Sequence, residues 1–485
     1  MMISPLSQKP SIPLVVDLDG SLISTDMLHE STLHLLFNRP LRAFQIPRWL
    51  INGKASLKKN LASGFIFDPS TLPYREDLID WLRQQSALGR TLILCTATDD
   101  SIAVSISKYL GFFEEVIASD GRRNLAGRIK SDILVDRFGH HGFDYVGNSK
   151  ADLHVWLNAR KAIVINAGRG LVSKVTRLYS VECIFPRKCR GLSAWLRMLR
   201  AHQWLKNLLL FVPLFAAHEI DNLTSWHSLI LAFFSFSICA SSVYVINDLV
   251  DLESDRAHPR KRFRPLASGL FSVWIGILIA PILFLISLWI GSLVGDQFLN
   301  WLVLYIFLTT AYTWFLKRLI LIDCIVLALL YTIRVLAGAA AVGHNLSFWL
   351  LAFSVFLFLS LAFVKRYAEL EIQIKRGKEK IQGRGYLSAD APLIQTIGVA
   401  GGYASVLVLA LYLNSDAVIK LYRAPEVIWG VVPVMLFWVS WMWMQAHRGN
   451  MHDDPLIFAI KDRVSLAAGA LFALIILVGT KGLVW

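Results

Sequence analysis

The chain has 485 residues, of which 55% are hydrophobic and only 17% are charged, a composition that excludes a wholly soluble protein. Its net charge is +14. Much of the basic charge lies in loops beside apolar runs, which favours anionic lipid and anionic substrates over nucleic acid as partners.

The first part of the chain carries five short segments with the pattern of buried strands, at residues 13–18, 91–95, 116–119, 143–146 and 162–166. Helical stretches separate these segments. Strands that alternate with helices indicate a parallel α/β sheet whose ligands bind at the carboxyl ends of the strands. We expect no signal peptide before the first strand, so this domain should stay in the cytosol.

Polar residues occur near the ends of several of these strands. In chain order they are Asp17 and Asp19, Thr96, Lys130, Asn148 and Asp152. This order resembles the haloacid dehalogenase (HAD) phosphohydrolase superfamily over nearly all of residues 12–166. The resemblance implies that the helical stretch at 22–85 is a small cap that limits access of substrate.

The resemblance also implies roles for these residues. Asp17 would attack phosphorus, Asp19 would act as acid and base, and Thr96 and Lys130 would hold the phosphoryl oxygens. Mg²⁺ would be bound by Asp17, Asp19, Asn148 and Asp152. Asn148 departs from the family pattern, which has an acidic residue there, so one negative charge is missing. The domain is therefore either an active phosphatase or a degenerate domain retained for docking or regulation.

We divide the chain into an α/β domain at 1–185, a basic linker and membrane-surface entry at 186–202, and a membrane domain at 203–485. Apolar runs of the length that crosses a bilayer begin only after about residue 205. Nine such segments are predicted, which makes the membrane domain an all-α bundle. They are residues 203–217, 227–248, 271–292, 298–316, 319–341, 347–366, 395–414, 426–446 and 464–483.

The distribution of basic residues predicts the orientation of the segments. The loops after the second and fourth segments contain Arg256, Arg260 and Lys261, then Lys317 and Arg318. Basic residues concentrate on the cytosolic side of membrane proteins. The sequence therefore predicts a multi-pass protein of the cell (inner) membrane with the N-terminal domain in the cytosol.

An acidic cluster closes the second apolar segment. Asn247, Asp251 and Asp255 are spaced i, i+4 and i+8, and Asp248 joins them at i+3 and i+7, so a continuous helix would gather all four. Oxygen ligands favour Mg²⁺ shared with the phosphates of a substrate. A basic strip follows Pro259 and supplies Lys261, Arg262 and Arg264. The pattern predicts a site for a metal and a phosphate group; the alternative is a solvated charged loop that anchors the helix.

The run from Asn247 to Gly269 resembles the first aspartate-rich motif of the UbiA superfamily, whose members transfer groups to or from polyprenyl chains inside a nine-helix bundle. The resemblance covers about 195–483. Within the superfamily it points to the decaprenyl-phosphate phosphoribosyltransferases. That likeness is carried by the KRFRPLASG run, Tyr312, Lys317, Tyr331, Arg334, Gly338 and the run from Lys365 to Leu370.

This resemblance implies a transferase that moves a 5-phosphoribosyl group from phosphoribosyl diphosphate to a polyprenyl phosphate. The donor would bind through Mg²⁺ to the acidic cluster, with the basic strip on its phosphates. The lipid phosphate would be held by Lys317 with Lys365 or Arg366, aided by Tyr312. The HAD-like domain would then remove the 5-phosphate of the product. Homo-oligomer formation stays open.

One departure separates this reading from its main alternative, prenylation of an aromatic or tetrapyrrole acceptor. Superfamily members with that activity carry a second acid-rich motif for a second Mg²⁺. At the equivalent loop this chain has Lys317, Arg318 and only Asp323. A transporter or a non-enzymatic scaffold is less consistent with the sequence, because the charges cluster at one membrane rim and no internal repeat is evident.

Overall fold

The structure is a computed structural model that describes residues 12–217, 219, 221–344, 347–375, 377, 384–415, 422–451 and 454–482. The chain divides into two compact units. The first contains the described residues up to Met198 together with Val245–Ile279. The second contains Leu199–Tyr244 and the described residues from Ala280 onward.

Six parallel strands form the sheet of the first unit. They are β1 Leu14–Val16, β2 Leu92–Asp99, β3 Glu115–Ser119, β4 Asp144–Gly147, β5 Ala162–Ile165 and β6 Val181–Phe185. Their order is β3-β2-β1-β4-β5-β6. The central strands are fully buried and rich in Val, Ile and Leu, as expected for a sheet covered on both faces. The predicted α/β fold is confirmed, and β6 is an additional strand that the sequence analysis did not include.

Nine helices connect and follow these strands among the described residues. They are α1 Met27–Asn38, α2 Ile46–Ile51, α3 Lys54–Ala62, α4 Glu76–Ala87, α5 Asp100–Leu110, α6 Arg128–Phe138, α7 Leu153–Trp156, α8 Arg169–Leu178 and α9 Leu192–Met198. Asp26 caps α1 by accepting the amide of Leu28 at 2.9 Å, which satisfies one unpaired donor at the helix start. The helices α1 to α3 lie within the segment predicted as a cap, and α4 begins in that segment and ends two residues after it.

The second unit is helical. After a 3₁₀ helix at Ala201–Phe211 come α10 Val212–Ala216, α11 Leu223–Val250, α12 Leu252–Ala257, α13 Val273–Val294, α14 Asp296–Trp314, α15 Ile322–Val342, α16 Phe348–Lys375, α17 Ala391–Leu413, α18 Pro425–Ile428, α19 Val431–His447, α20 Pro455–Lys461 and α21 Arg463–Lys481. The end of α11, all of α12 and the first turns of α13 belong to the first unit. The acidic cluster therefore lies in the same compact unit as the sheet.

Seven stretches of the described residues are long and apolar enough to cross a membrane. They are Leu223–Val250, Val273–Val294, Ile322–Val342, Phe348–Lys375, Ser388–Leu413, Pro425–His447 and Arg463–Lys481. The chain is thus a multi-pass membrane protein with seven candidate spans, and nine remains a prediction. The first predicted segment is a 3₁₀ helix followed by the five-residue α10, with Pro213 at the start of the latter. The fourth, α14, is helical but begins with Asp296, Gln297 and, one turn later, Asn300.

Candidate functional site

Two aspartates of the first unit lie at the point where the strand order reverses. β1 is flanked by β2 and β4, so connections leave it in opposite directions and a crevice opens at its carboxyl end. Asp17 and Asp19 follow β1, and Asn148 follows β4. Gly20 has a φ of +73°, and a Cβ there would lie 2.1 Å from Nδ2 of Asn148, so the turn leaves no room for a side chain.

A chain of hydrogen bonds links Asp17 to Asp152. Lys130 Nζ donates to Asp17 Oδ1 at 2.6 Å and to the Tyr145 hydroxyl at 3.0 Å. The Tyr145 hydroxyl donates to Asp152 Oδ1 at 2.9 Å. Ser21 donates to the other Asp17 oxygen at 3.1 Å. The structure therefore brings three of the predicted residues together, with a buried tyrosine that the sequence analysis did not select.

Asp19 is held by different neighbours. Its Oδ1 accepts the amide of Met27 at 2.9 Å, and its Oδ2 accepts the Thr98 hydroxyl at 2.5 Å. Thr96 is fully buried, and its hydroxyl accepts the amide of Thr98 at 3.0 Å. Thr96 thus fixes the backbone near the end of β2, whereas Thr98 contacts a candidate catalytic carboxylate directly.

Burial dominates the ionisation of both aspartates. It raises the pKa of Asp17 above its ordinary value, although the charge of Lys130 acts in the opposite direction. It raises the pKa of Asp19 to about 7, reinforced by the charge of Asp26. The value of Asp19 suits a carboxyl group that exchanges a proton near neutral pH. Burial would lower the pKa of Lys130, but the surrounding groups, Asp17 foremost with Cys95 and Asp152, together outweigh it and raise that pKa.

The donor set of this site suits a hard cation. Each carboxylate oxygen of Asp17 and Asp19 accepts one of the hydrogen bonds above, which leaves lone pairs for a metal. Asp152 Oδ2 is more heavily used, because it accepts the amides of Asn148 and Ser149 and the Ser149 hydroxyl. Asn148 directs its Nδ2 to the carbonyl of Asp19 at 3.2 Å. In the part of the chain that the structure describes, no three His, Cys, Asp or Glu residues are arranged around a common metal position.

The acidic cluster lies where α11 gives way to α12. Asp251 separates the two helices, but the amide of Asp251 still bonds to the carbonyl of Asn247 at 2.9 Å, and the amide of Asp255 to that of Asp251 at 2.8 Å. The i, i+4 spacing therefore survives the junction. Asp248 and Asp255 are buried, whereas Asn247 and Asp251 are half-buried.

A single guanidinium joins the two buried carboxylates of this cluster. Arg264 Nη1 lies 3.2 Å from Asp248 Oδ1 and also bonds to Asp255 Oδ2. Asp255 Oδ1 is buried without a hydrogen-bond partner, and Lys261 Nζ lies 3.8 Å from it. Two converging carboxylates with one unsatisfied oxygen fit a divalent cation, which would supply the missing interaction. The predicted ligands are Asn247, Asp248, Asp251 and Asp255, of which the structure joins Asp248 and Asp255 through Arg264.

The residues of the basic strip fall into two groups, exposed side chains and one side chain that is bound to carboxylates. Lys261 and Arg262 are exposed, and Arg262 lies against the ring of Phe263. Arg264 is bound to the carboxylates instead. Arg256 is buried and bonds to Glu30 of α1, a contact that the sequence analysis did not anticipate. Little in the sequence indicates this pair, because Arg256 is one of several basic residues in the same predicted loop.

Asp454 forms a buried centre in the second unit. Its Oδ2 lies 2.7 Å from Lys206 Nζ and 3.3 Å from Lys365 Nζ, and the Tyr331 hydroxyl donates to the same carboxylate at 2.8 Å. Burial opposes the ionisation of Asp454, but the charges of Lys206 and Lys365 outweigh it and hold the pKa of this carboxyl below its ordinary value. Lys365 was a predicted phosphate ligand; Lys206 and Asp454 were not selected.

A second buried centre surrounds Asp323. Arg366 Nη2 lies 2.6 Å from Asp323 Oδ2, and Arg384 Nη1 lies 3.2 Å from the same oxygen. The Tyr386 hydroxyl donates to Asp323 Oδ1 at 2.5 Å. Tyr312 accepts a hydrogen bond from Arg384 at 3.1 Å. Two of the predicted phosphate ligands, Arg366 and Tyr312, thus belong to the network around Asp323. A third, Lys365, belongs to the network around Asp454.

Lys317 lies in a 3₁₀ turn, Leu316–Arg318, between α14 and α15, and is half-buried. Within the described ranges no hydrogen bond or ion pair to its ammonium group is found. It therefore differs from Lys365 and Arg366, whose charges are offset by carboxylates. Lys317 is the predicted lipid-phosphate ligand whose charge is left uncompensated by a neighbour in the described structure.

A model of the UbiA prenyltransferase family matches residues 208–461, slightly more than half of the chain. The match includes the acidic cluster, the basic strip and most of the second unit.

Three relatives extend this finding. An uncharacterized protein of Sinorhizobium fredii is 38% identical over 465 residues, 95% of this chain and 90% of its own length. The nodulation protein NoeC of Azorhizobium caulinodans is 36% identical over 267 residues, 55% of this chain and 87% of its own. The decaprenyl-phosphate phosphoribosyltransferase of Mycolicibacterium smegmatis is 31% identical over 278 residues, 56% of this chain and 87% of its own.

The Asp454 centre predicts a stability effect. Asp454→Asn leaves Lys206 and Lys365 without a buried counter-charge, and removing one partner of a buried ion pair typically costs about 3–5 kcal/mol. The apparent melting temperature of detergent-solubilised protein should fall by roughly 5–15 °C. The matched control is Asp296→Asn, which changes an exposed carboxylate of α14 and should leave the melting temperature nearly unaltered. Equal melting curves for both variants would show that Asp454 is not the buried counter-charge on which Lys206 and Lys365 depend.

Proposed function

This chain belongs to the UbiA prenyltransferase family, and on that premise we propose that it transfers a 5-phosphoribosyl group from phosphoribosyl diphosphate to a polyprenyl phosphate. The observation that carries the proposal is the state of Asp323. It is the sole acid of the second inward loop, and two arginines and a tyrosine already occupy its oxygens. A carboxylate so neutralised is a poor ligand for a second Mg²⁺.

The acceptor side of the proposal follows from this chemistry. A monophosphate can be bound by basic side chains alone, whereas a prenyl diphosphate normally brings Mg²⁺ with it. Lys317 has the uncompensated charge that such binding requires. Lys365 and Tyr312 are secondary ligands, since the former shares its charge with Asp454 and the latter accepts from Arg384. Arg366 is fully buried and tied to Asp323 and Glu369, so its role is to set the charge of this network.

The donor side rests on the acidic cluster. Asn247, Asp248, Asp251 and Asp255 would hold Mg²⁺, which neutralises the diphosphate and makes it a better leaving group. Lys261 and Arg262 are exposed and able to bind phosphate oxygens. Arg264 bridges two carboxylates and is expected to turn from them to the donor phosphates once the site is filled. The sequence identity with the mycobacterial phosphoribosyltransferase supports this choice of donor.

The proposed reaction needs no protein nucleophile. The bond between C1 of ribose and the diphosphate oxygen breaks, and positive charge grows at C1 as the diphosphate departs. An oxygen of the lipid phosphate attacks C1 and forms the new bond. Basic side chains stabilise the departing negative charge, and binding both substrates in one orientation supplies much of the rate.

We propose that the N-terminal domain removes the 5-phosphate from the lipid product. Asp17 would attack phosphorus as the bond from phosphorus to the ribose 5-oxygen breaks, and Lys130 would offset the charge of the phosphoryl group. Asp19, with its raised pKa, would protonate the leaving 5-oxygen and then take a proton from the water that releases phosphate from Asp17. In the proposed topology this domain is cytosolic, on the same side as the acidic cluster. The short basic linker would then raise the effective concentration of product at the phosphatase site.

The deciding experiment incubates purified protein with polyprenyl phosphate, labelled phosphoribosyl diphosphate and Mg²⁺. Label should pass into the organic phase. Label that stays aqueous, together with formation of a prenylated aromatic acid or tetrapyrrole in a parallel assay, would favour the alternative function. Transport of label into vesicles without product would indicate a transporter.

The acidic cluster predicts a loss of turnover. Asp251→Asn or Asp255→Asn removes charge from the proposed metal ligands and should lower kcat at least ~10²-fold. The control is Glu253→Gln, which changes an exposed carboxylate of the same helix, α12, and should retain near-normal kcat. Lipid product formed by Asp255→Asn at the wild-type rate would remove Asp255 from the site.

The two groups of basic residues should affect different substrates. Lys317→Ala should raise the apparent KM for polyprenyl phosphate more than that for phosphoribosyl diphosphate, and Arg264→Ala should do the reverse. Steady-state kinetics with each substrate varied in turn measure both values. Arg318→Ala, an exposed neighbour of Lys317, serves as control. If both variants raise the KM of the same substrate, the division into donor and acceptor residues is wrong.

The proposed phosphatase step predicts a change in product. Asp17→Asn should accumulate lipid-linked phosphoribose, whereas the wild type should release phosphate and leave lipid-linked ribose. Mass spectrometry of the organic phase distinguishes the two lipids. Asp136→Asn, an exposed change on α6, should behave as the wild type. Identical products from Asp17→Asn and wild type would assign the N-terminal domain another substrate or a non-catalytic role.

A further inference from the structure

A buried ion pair joins the α/β domain to the acidic cluster within the first unit. Arg256 Nη2 lies 2.7 Å from Glu30 Oε1, and Nη1 donates to Glu30 Oε2 at 3.1 Å. Both side chains are only 6% exposed. Glu30 is on α1, and Arg256 directly follows Asp255 on α12. The pair thus connects α12, which carries Asp255, to α1, which begins after the loop that carries Asp17 and Asp19.

On the side of the sheet, the pair leads back to Asp19. The Thr25 hydroxyl donates to Glu30 Oε1 at 2.5 Å, and the Thr25 carbonyl accepts the amide of Gly20 at 3.0 Å. The amide of Met27, the first residue of α1, donates to Asp19 Oδ1 at 2.9 Å. The start of α1 is therefore fixed by the loop that follows β1. A ligand that displaces the Asp19 carboxylate would therefore shift the start of α1 and, with it, Glu30.

On the other side, the pair leads to Asp255. Arg256 Nε donates to the carbonyl of Ala267 at 3.0 Å. Arg256 therefore ties α12 to the segment that contains Arg264, the residue that binds Asp248 and Asp255. A shift of Arg256 would change the separation between the carboxylates and their bridging guanidinium.

Backbone packing close to the pair leaves little freedom for movement. Gly269 has a φ of +69°, and a Cβ there would lie 2.6 Å from the carbonyl oxygen of Ser24. The chain between Asp19 and α1 thus runs directly against the segment that follows the basic strip. Ser24 immediately precedes Thr25, which bonds to Glu30. The two segments meet along their backbones as well as through the ion pair.

A buried ion pair contributes little net free energy to the packing of two elements. Desolvation of both charges offsets much of their attraction, and apolar residues of similar volume often give equal or greater stability. What an ion pair adds is a fixed geometry, since bidentate contacts of a guanidinium with a carboxylate constrain both distance and angle. This property suits a contact whose role is to set the position of neighbouring groups.

We propose that Glu30 and Arg256 are a pair of positioning residues that couple occupancy of the Asp17–Asp19 loop to the binding of diphosphate at the acidic cluster. The inference rests on the proposed function only for the identity of the donor, because the diphosphate group is the part of the donor that it concerns. Coupling of this kind is reciprocal: a ligand at Asp17 changes the affinity of the acidic cluster by the same factor as the reverse.

The test measures binding, with probes that fill each site separately. Beryllofluoride, which bonds to a carboxylate oxygen as a phosphoryl mimic, occupies Asp17. Inorganic diphosphate with Mg²⁺ occupies the acidic cluster, and its Kd is measured by calorimetry in detergent. In the wild type, beryllofluoride should change this Kd by ~5-fold or more, within the usual range for coupled sites. Asp17→Asn should abolish the change.

The variant that decides is the double replacement Glu30→Leu with Arg256→Met, which removes the pair without leaving a buried charge. It should bind Mg²⁺-diphosphate but no longer respond to beryllofluoride. The matched control is Arg75→Met with Asp77→Leu, which removes another ion pair of the first unit, at 2.6 Å, and should retain the response. A structural role alone would give both double variants the same response.

Two outcomes would overturn the inference: a Kd that does not respond to beryllofluoride in the wild type, or a response that persists in the Glu30→Leu, Arg256→Met protein. Neither depends on transfer of phosphoribose. Failure of the labelled transfer assay with a normal beryllofluoride response would instead reject the proposed donor and keep the coupling.

Discussion

The neutralisation of buried carboxylates is the constraint on which the rest of this structure depends. Asp248 lies near the end of a candidate membrane span, and Asp255 is buried in the short helix that follows. Charged groups are costly near hydrocarbon unless they are paired. Arg264 pairs with both, and the unsatisfied oxygen of Asp255 keeps a place for a further cation. The arrangement that makes these carboxylates tolerable is also consistent with the metal-bound diphosphate that we propose as donor.

The second unit contains two buried carboxylates that are neutralised in different ways. At Asp454, two lysines and a tyrosine share one carboxylate, so positive charge is in excess. At Asp323, two arginines share a carboxylate, but Glu369 also contacts both of them and restores the balance. The first centre can therefore contribute to attraction of an anion, whereas the second mainly fixes the geometry of the helix ends. Lys317 stands outside both networks.

The α/β domain meets the same constraint at its own candidate site. Lys130 offsets the charge of Asp17, while burial keeps the pKa of Asp19 near 7. Both aspartates follow the central strand, where parallel topology opens a crevice. The structure places the acidic cluster in the same compact unit as this crevice, and the buried contact of Glu30 with Arg256 lies between the two sets of residues. A shared unit gives a physical reason for the two domains to occur in one chain.

The sequence by itself determined the α/β sheet and the apolar helices and predicted the residues of both candidate aspartate sites, because strand and helix periodicity and closely spaced carboxylates are local properties. It also identified Lys130 and Asp152, whose contact through Tyr145 it could not supply. Only the tertiary structure decided which charges are paired. Glu30 and Arg256 lie 226 residues apart, and Lys206 and Asp454 lie 248 apart. Ion pairs between such distant residues depend on how helices pack, and packing brings together side chains that no local pattern connects.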